Sequence, residues 1–224
     1  MISHSLVKAG ASEHRVSLTK GQAKREEVIK AAARLFGERG YHVTSMQDIA
    51  DEVGLRKGSL YYHVTSKDDL LFQIVDNEVS ASLEQLERIC AKPISPAEKV
   101  REAVLSLVSA IGSDTQRITL FLQEIRTLRP EQLETITLKR KRYEVLFQDI
   151  LEEGNAEGVF SVAQTKIASF GLLGMCNWIH TWYRQNGGFS TAEIGGLFAD
   201  LFLWGCTGNT PKQAGGRKAK DEGS

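Results

Sequence analysis

The sequence predicts an all-α protein, with a small N-terminal unit of three helices carrying a helix-turn-helix and a larger helical unit behind it. Three observations carry this. Apolar residues recur at i, i+3, i+4 and i+7 along most of the chain, the period of helices with one buried face. The four prolines, at 93, 96, 130 and 211, stand where those periodic stretches break. No segment alternates apolar and polar residues convincingly enough to read as a half-buried strand.

Residues 1–19 are polar and aperiodic and read as a flexible arm; residues 208–224 are polar and Gly/Lys-rich and read as a disordered tail. Between them, a first helix over 20–37 carries Val28, Ala32, Leu35 and Phe36 on one face, and Gly40 stops it. Ser45 is placed to N-cap a second helix that turns Met46, Ile49, Ala50 and Val53 inward, and Gly54 ends it. A short third helix opens near Lys57. Ser66 caps the fourth, with Asp68 and Asp69 in its first turn, where the helix dipole favours negative charge. Leu71, Ile74, Val75, Val79, Leu83, Leu86 and Cys90 give this helix an inner stripe. At 1.5 Å per residue it reaches roughly 35 Å, enough to link two domains.

Pro93 and Pro96 end the fourth helix, and a fifth follows over 96–111. The next carries Ile118, Phe121, Leu122, Ile125 and Leu128 at helical spacing. Another runs over 130–153 and stops at Gly154; one over 165–185 stops at Gly187 and Gly188. The last starts after Ser190 and puts Ile194, Leu197, Phe198, Leu201 and Phe202 on one face. The expected domains are 20–67 and 68–207.

With 224 residues, 42% hydrophobic and 25% charged, the composition is that of a globular protein able to bury a core without disulfide help. The 28 basic and 28 acidic residues cancel, so any nucleic-acid affinity must come from local clustering. Cys90, Cys176 and Cys206 are odd in number and form no C-x-x-C pair, which fits a reducing cytoplasm and small buried side chains. The N-terminus lacks the apolar core of a signal peptide, and the longest nearly apolar run, 170–179, is too short to span a bilayer. His4, His14, His42, His63 and His180 lack metal-ligand spacing, there is no G-x-S-x-G or phosphate loop, and Glu152 and Glu153 read as a solvated helix end. No enzyme constellation and no cofactor site is expected.

Residues 44–67 carry the chemistry. No acidic residue occurs between Val53 and Lys67, while Arg56, Lys57 and Lys67 are basic and Ser59, Tyr61, Tyr62 and His63 add hydrogen-bonding groups. A second helix that follows a short Gly-containing turn can lie in a major groove. Thr44 and Ser45 are expected to offer hydroxyls to a phosphate. Lys57, Gly58 and Ser59 would face base edges, with Gly58 letting the backbone approach closely. Tyr61 and His63 reach phosphates or a thymine methyl, and Lys67 a phosphate. Leu60 and one tyrosine would pack inward. The competing reading is a three-helix unit with an incidental basic edge.

The run TSMQDIADEVGLRKGSLYYHVTSKDDLL resembles the N-terminal domain of TetR-family regulators. It holds Thr44, Ile49-Ala50, Val53-Gly54, Gly58-Ser59-Leu60-Tyr61-Tyr62-His63 and Ser66-Lys67, with Val64 where Phe is frequent. The resemblance covers about residues 20–72. It implies an all-helical homodimer, a palindromic double-stranded DNA operator, a separate ligand-binding domain and repression relieved by a small molecule. Residues 170–179 are apolar nearly all round apart from Asn177, so this helix needs burial on more than one side, against a dimer partner and a cavity. Ile179, Tyr183, Ile194, Leu197, Phe198, Leu201 and Phe202 are the expected dimer residues.

The segment NWIHTWYRQNGGFSTAEI is similar to a subgroup carrying W-x-x-x-W-Y-R-P-G-G, with Gln185 replacing the Pro, and QEIRTLRPEQ and LKRKRYEVLF add to the likeness. That subgroup responds to acyl-CoA thioesters, which implies an acyl-CoA effector here. Phosphates suit Arg142 and its neighbours Lys139, Arg140 and Lys141, with Arg126, Arg129 and Arg184 as further candidates. Phe121, Leu122, Ile125, Leu146, Trp178 and Trp182, with Gly174 and Asn177, would line an apolar tunnel. The alternatives are an efflux-gene repressor sensing drug-like compounds and, in a different class, an all-helical acyl-binding carrier or enzyme.

Overall fold

The computed structural model describes residues 19–207. The arm and tail expected at 1–18 and 208–224 lie outside the described residues, as do the side chains of Gln116, Arg117 and Phe121. Thr19, assigned to the arm from sequence, is instead the N-cap of α1 (Lys20–Arg39), in a reciprocal box with Gln22. Ser45 and Asp48 close the same box on α2 (Met46–Glu52), and α3 is the short Lys57–Leu60. Ser66 accepts from the Asp69 N–H and starts α4 (Lys67–Cys90). Satisfying such orphan N–H groups is what fixes each helix start.

Ser95 and Glu98 cap α5 (Pro96–Ser113), which leads through α6 (Thr115–Glu124) and a 3-10 turn (Ile125–Thr127) into α7 (Pro130–Ala156). The remaining helices are α8 (Thr165–Asn177), α9 (Ile179–Trp182) and α10 (Thr191–Cys206), the last capped by Ser190 and Glu193. Among the described residues no strand occurs, and no helix is long and apolar enough to cross a membrane.

Two cores form. The first gathers Val28, Leu35 and Phe36 of α1, Ile49 of α2, Leu60 of α3 and Leu70, Leu71 and Ile74 of α4. Leu120, Leu128 and Ile136, contributed by α6, the turn after it and the start of α7, close it from the other side. The second gathers Leu86 and Ile89 of α4 with Val104 and Val108 of α5, Phe147 and Ile150 of α7, Leu172 and Cys176 of α8 and Ala199 and Leu203 of α10. Helix α4 thus belongs to both. Polar ties run along its flank: Lys139 of α7 donates to Asp76 and, at 2.8 Å, to Ser80. Lys99 of α5, almost buried, pairs with Glu153 of α7 at 2.7 Å.

Three boundaries differ from the sequence reading. Gly154 does not stop α7; it lies within it, because the Phe160 ring returns onto the helix and leaves no room for a side chain. The turn is made by Gly158, at φ +72°. The single helix expected over 165–185 breaks at Trp178, and α9 is one turn only. Ile125 and Leu128 leave the α6 helix for the 3-10 turn and its end.

A Cβ on Gly154 would stand 2.0 Å from Phe160 Cδ2. Gly154→Ala is therefore expected to lower unfolding stability by about 1–3 kcal/mol, the usual cost of overpacking. A urea midpoint equal to wild type would contradict this close approach.

Candidate functional site

The α2–α3 turn is closed by Gly54, at φ +65°, and by the Leu55 N–H donating to the Ala50 carbonyl at 2.8 Å. Leu60 and Val64 are buried beneath α3. They hold it so that Arg56, Lys57, Gly58, Tyr61 and Tyr62 are exposed, with Ser59 and His63 half-buried. Neither tyrosine turns inward as one was expected to: Tyr61 is 47% and Tyr62 90% exposed, while Val64 is buried. The nearest carboxylates are engaged within α1 and α2. Asp48 bonds Ser45, which holds its carboxyl below the usual range; Asp51 accepts from Gln47 at 2.7 Å; Glu52 pairs with Arg34. The α3 segment itself carries Arg56 and Lys57 and no carboxylate, a local positive charge that the whole chain lacks.

Three expected phosphate contacts are placed differently. Thr44 is only 2% exposed, and its hydroxyl donates to the Gly40 carbonyl at 2.9 Å and the Leu35 carbonyl at 3.3 Å. It ties the end of α1 to the start of α2. Ser45 is exposed, but its hydroxyl donates to Asp48 at 2.6 Å and accepts from the Asp48 N–H at 3.2 Å. Lys67 Nζ donates to the His42 carbonyl at 3.2 Å and sits 4.4 Å from the centre of the Tyr41 ring. Burial lowers its pKa, with Asp68 and Glu124 acting in the opposite sense. Its ammonium anchors the 41–43 loop to α4. His42 Nε2 meets Glu124 of α6 at 3.2 Å.

The expected ligand residues do not converge. The side chain of Phe121 lies outside the described residues. Leu122 is exposed, Ile125 packs against the N-terminal core, and Leu146 is inside the C-terminal one. Gly174 and Asn177 of α8, and Trp178 and Trp182 beyond its end, are at the surface. Arg142 faces α4 and meets Glu87 at 3.8 Å. The basic run splits: Lys139 and Arg142 face α4, while Arg140 and Lys141 line a groove with Lys166 of α8. A cleft of about 280 Å³ opens at the surface between α4 and α5, with Tyr143 of α7 in its wall. No spacing in the sequence marks it, because it is assembled from three helices.

Of the expected dimer residues, Leu197 and Leu201 are exposed, and Phe198 and Phe202 half-buried. Ile179, Tyr183 and Ile194 are buried within the same chain, where they complete the C-terminal core. The sequence reading missed Trp204, 76% exposed, and Ile167, and placed Trp178, 64% exposed, in a pocket. Trp204 continues the 197–201 spacing by one turn, a signal present in the sequence. Leu197, Leu201 and Trp204 share one exposed face of α10, while Ile167 is exposed on α8 and Trp178 just past its end. At Gly171, Gly174, Gly196 and Gly205 a side chain would meet only open space.

Residues 28–74 match the family model described as "Bacterial regulatory proteins, tetR family", and residues 93–206 match "Tetracyclin repressor-like, C-terminal domain". The chain belongs to the TetR family of transcriptional regulators. It is thus a DNA-binding regulator rather than an enzyme. This TetR-family chain is 26% identical over 187 residues to the transcriptional repressor KstR2 of Mycolicibacterium smegmatis, covering 83% of this chain and 91% of that one. Among solved structures, the TetR-family regulator PfmR of Thermus thermophilus is 30% identical with a TM-score of 0.74, covering 79% of this chain and 96% of that one. AibR, solved in complex with isovaleryl coenzyme A and operator DNA, is 26% identical with a TM-score of 0.69, covering 80% and 96%.

Lys57→Ala is expected to weaken duplex-DNA binding about tenfold with an unchanged melting temperature. Thr44→Ala should instead lower the unfolding free energy by about 1–3 kcal/mol, through the lost hydroxyl bonds. Fluorescence anisotropy and thermal denaturation of both variants separate the roles; the opposite pattern would reverse the assignment.

Proposed function

We propose that this TetR-family regulator is a homodimeric repressor, released from a palindromic operator when an acyl-CoA thioester occupies its C-terminal domain. The observation that carries the reading is the pairing of an exposed α3 face with an exposed apolar face on α8 and α10 of the same chain. With no net charge to attract DNA, affinity rests on the α3 surface, and a second copy doubles it. Exposed Trp204, Trp178, Leu197 and Leu201 form a patch of the kind that marks association surfaces. Two α3 helices held one helical turn of DNA apart then read two half-sites.

The likeness to KstR2, named a repressor, and to AibR, solved with an acyl-CoA and operator DNA, supports both halves of the reading. An effector changes operator occupancy only by binding the DNA-free state more tightly. The cytoplasm suits the three free thiols. Burial pushes Cys176 up to about 12 and Cys206 up to about 11, so both are inert core side chains at neutral pH.

The test is operator-bound protein titrated with isovaleryl-CoA, longer acyl-CoAs, free CoA and free fatty acid, followed by anisotropy. Release by an acyl-CoA and not by CoA alone is expected; no release by any acyl-CoA would sink the effector reading. Trp204→Glu, which puts a charge in the apolar face, is expected to yield a monomer in analytical ultracentrifugation and to weaken operator binding by at least about 100-fold. A dimeric Trp204→Glu with wild-type affinity would remove that face from the interface.

A further inference from the structure

Helix α7 distributes its four consecutive cations, Lys139 to Arg142, over two flanks. Lys139 and Arg142 turn to α4, where Asp76 and Glu87 meet them. Arg140 and Lys141 turn the other way, into a groove of about 440 Å³ between α7 and α8 that Lys166 of α8 also lines. Among the described residues none of these three is in an ion pair, although Arg140 and Lys141 stand about one turn from Glu144, the one acidic residue lining the groove. Cations on the neighbouring helices are matched: Lys92 by Glu102, Lys99 by Glu153 and Arg101 by Asp200. In a chain of zero net charge, three unmatched cations in one groove concentrate positive potential there. Helix α8 adds to it, since no side chain caps its start and no acid lies in its first turn, where Lys166 stands. The groove also has an apolar part, made by half-buried Val145 and by Phe170, whose ring centre is 6.0 Å from Lys166 Nζ. Convergent cations beside an aromatic face suit a ligand that is both polyanionic and planar, as a phosphorylated nucleotide is.

We infer that the α7–α8 groove is the nucleotide subsite of the effector, with Arg140, Lys141 and Lys166 engaging the phosphates of coenzyme A and Phe170 taking the face of its adenine. This rests on the acyl-CoA reading above and assigns the anionic end of that molecule. The planar fork of Arg140 can hold one phosphate through two N–H donors, while the two lysines act as point charges. The groove, at about 440 Å³, falls within the roughly 300–1,000 Å³ that ligand sites span. It binds what all coenzyme A thioesters share, so it sets affinity for the class and leaves the choice of acyl chain to other residues. All three cations are exposed, so their attraction is screened and the nucleotide's share of the affinity falls as salt rises.

The experiment uses full-length wild type and the double variant Arg140→Gln/Lys141→Gln, which removes two charges and keeps polar side chains. Each is titrated calorimetrically, at low and at high salt, with isovaleryl-CoA and with isovaleryl-phosphopantetheine, the same thioester without the nucleotide. At low salt wild type is expected to bind isovaleryl-CoA about tenfold more tightly than the truncated thioester, and the gap should narrow at high salt. The double variant should bind both at the level of the truncated thioester. Its melting temperature and its operator affinity without ligand should be unchanged, because the two side chains are exposed and unpaired. Phe170→Leu, which keeps the charges, should lose about fivefold for isovaleryl-CoA alone; no loss would remove the aromatic ring from the subsite. Equal wild-type affinities for the two thioesters, or a preference that survives in the double variant, would overturn the groove and leave the acyl-CoA reading standing. Binding of neither isovaleryl-CoA nor any longer acyl-CoA by wild type would overturn that reading, and this one with it.

Discussion

Helix α4 is shared between two cores, and the rest of the molecule depends on that sharing. Its first half is buried with α1, α2 and α3 through Leu70, Leu71 and Ile74; its second half is buried with α5 and α7 through Leu86 and Ile89. An α-helix transmits displacement along its length because its backbone hydrogen bonds resist bending. Asp76, Ser80 and Glu87 fasten the intervening stretch to Lys139 and Arg142 of α7. On the effector-released reading proposed above, a change of spacing between α4 and its neighbours in the second core would be carried to the base of α3. The cleft walled by α4, α5 and Tyr143 lies along the second half of α4; at the start of α4, Lys67 holds the 41–43 loop, whose His42 meets Glu124 of α6.

The same economy governs charge. The chain is neutral overall, yet no acidic residue lies between Val53 and Lys67, where Arg56 and Lys57 stand. Asp48 caps α2, Asp51 accepts from Gln47 and Glu52 meets Arg34. Lys67 gives up part of its availability to hold the 41–43 loop against Tyr41. On α3 and its N-cap the exposed positive charge is that of Arg56 and Lys57.

What is legible in the sequence is local. Ser45, Ser66 and Ser190 announce helix starts because a cap needs only its own first turn. The α2–α3 unit is legible because its spacing and its turn glycine are contiguous. Thr44 is misread from sequence because its hydroxyl finds carbonyls of α1 that only tertiary structure brings near. The break at Trp178 has no proline or glycine to mark it, so periodicity runs through it. Helices α8 and α10 are apolar on two faces, one turned inward and one outward, and periodicity cannot say which is which: Ile194 goes to the core and Leu201 to the surface. The cleft at Tyr143 is invisible for the same reason, being made by residues from three separate helices.

The apolar face on α8 and α10 has a consequence for dosage. A reader that requires two copies occupies its site in proportion to the square of the free chain concentration while dimers are scarce, and linearly once they are abundant. With the dimer face proposed above, the stickiness of Trp204, Leu197 and Leu201 would set the cellular copy number at which control switches from sluggish to firm. Small changes at that face would retune the threshold of the whole circuit without altering a single group that meets DNA or effector.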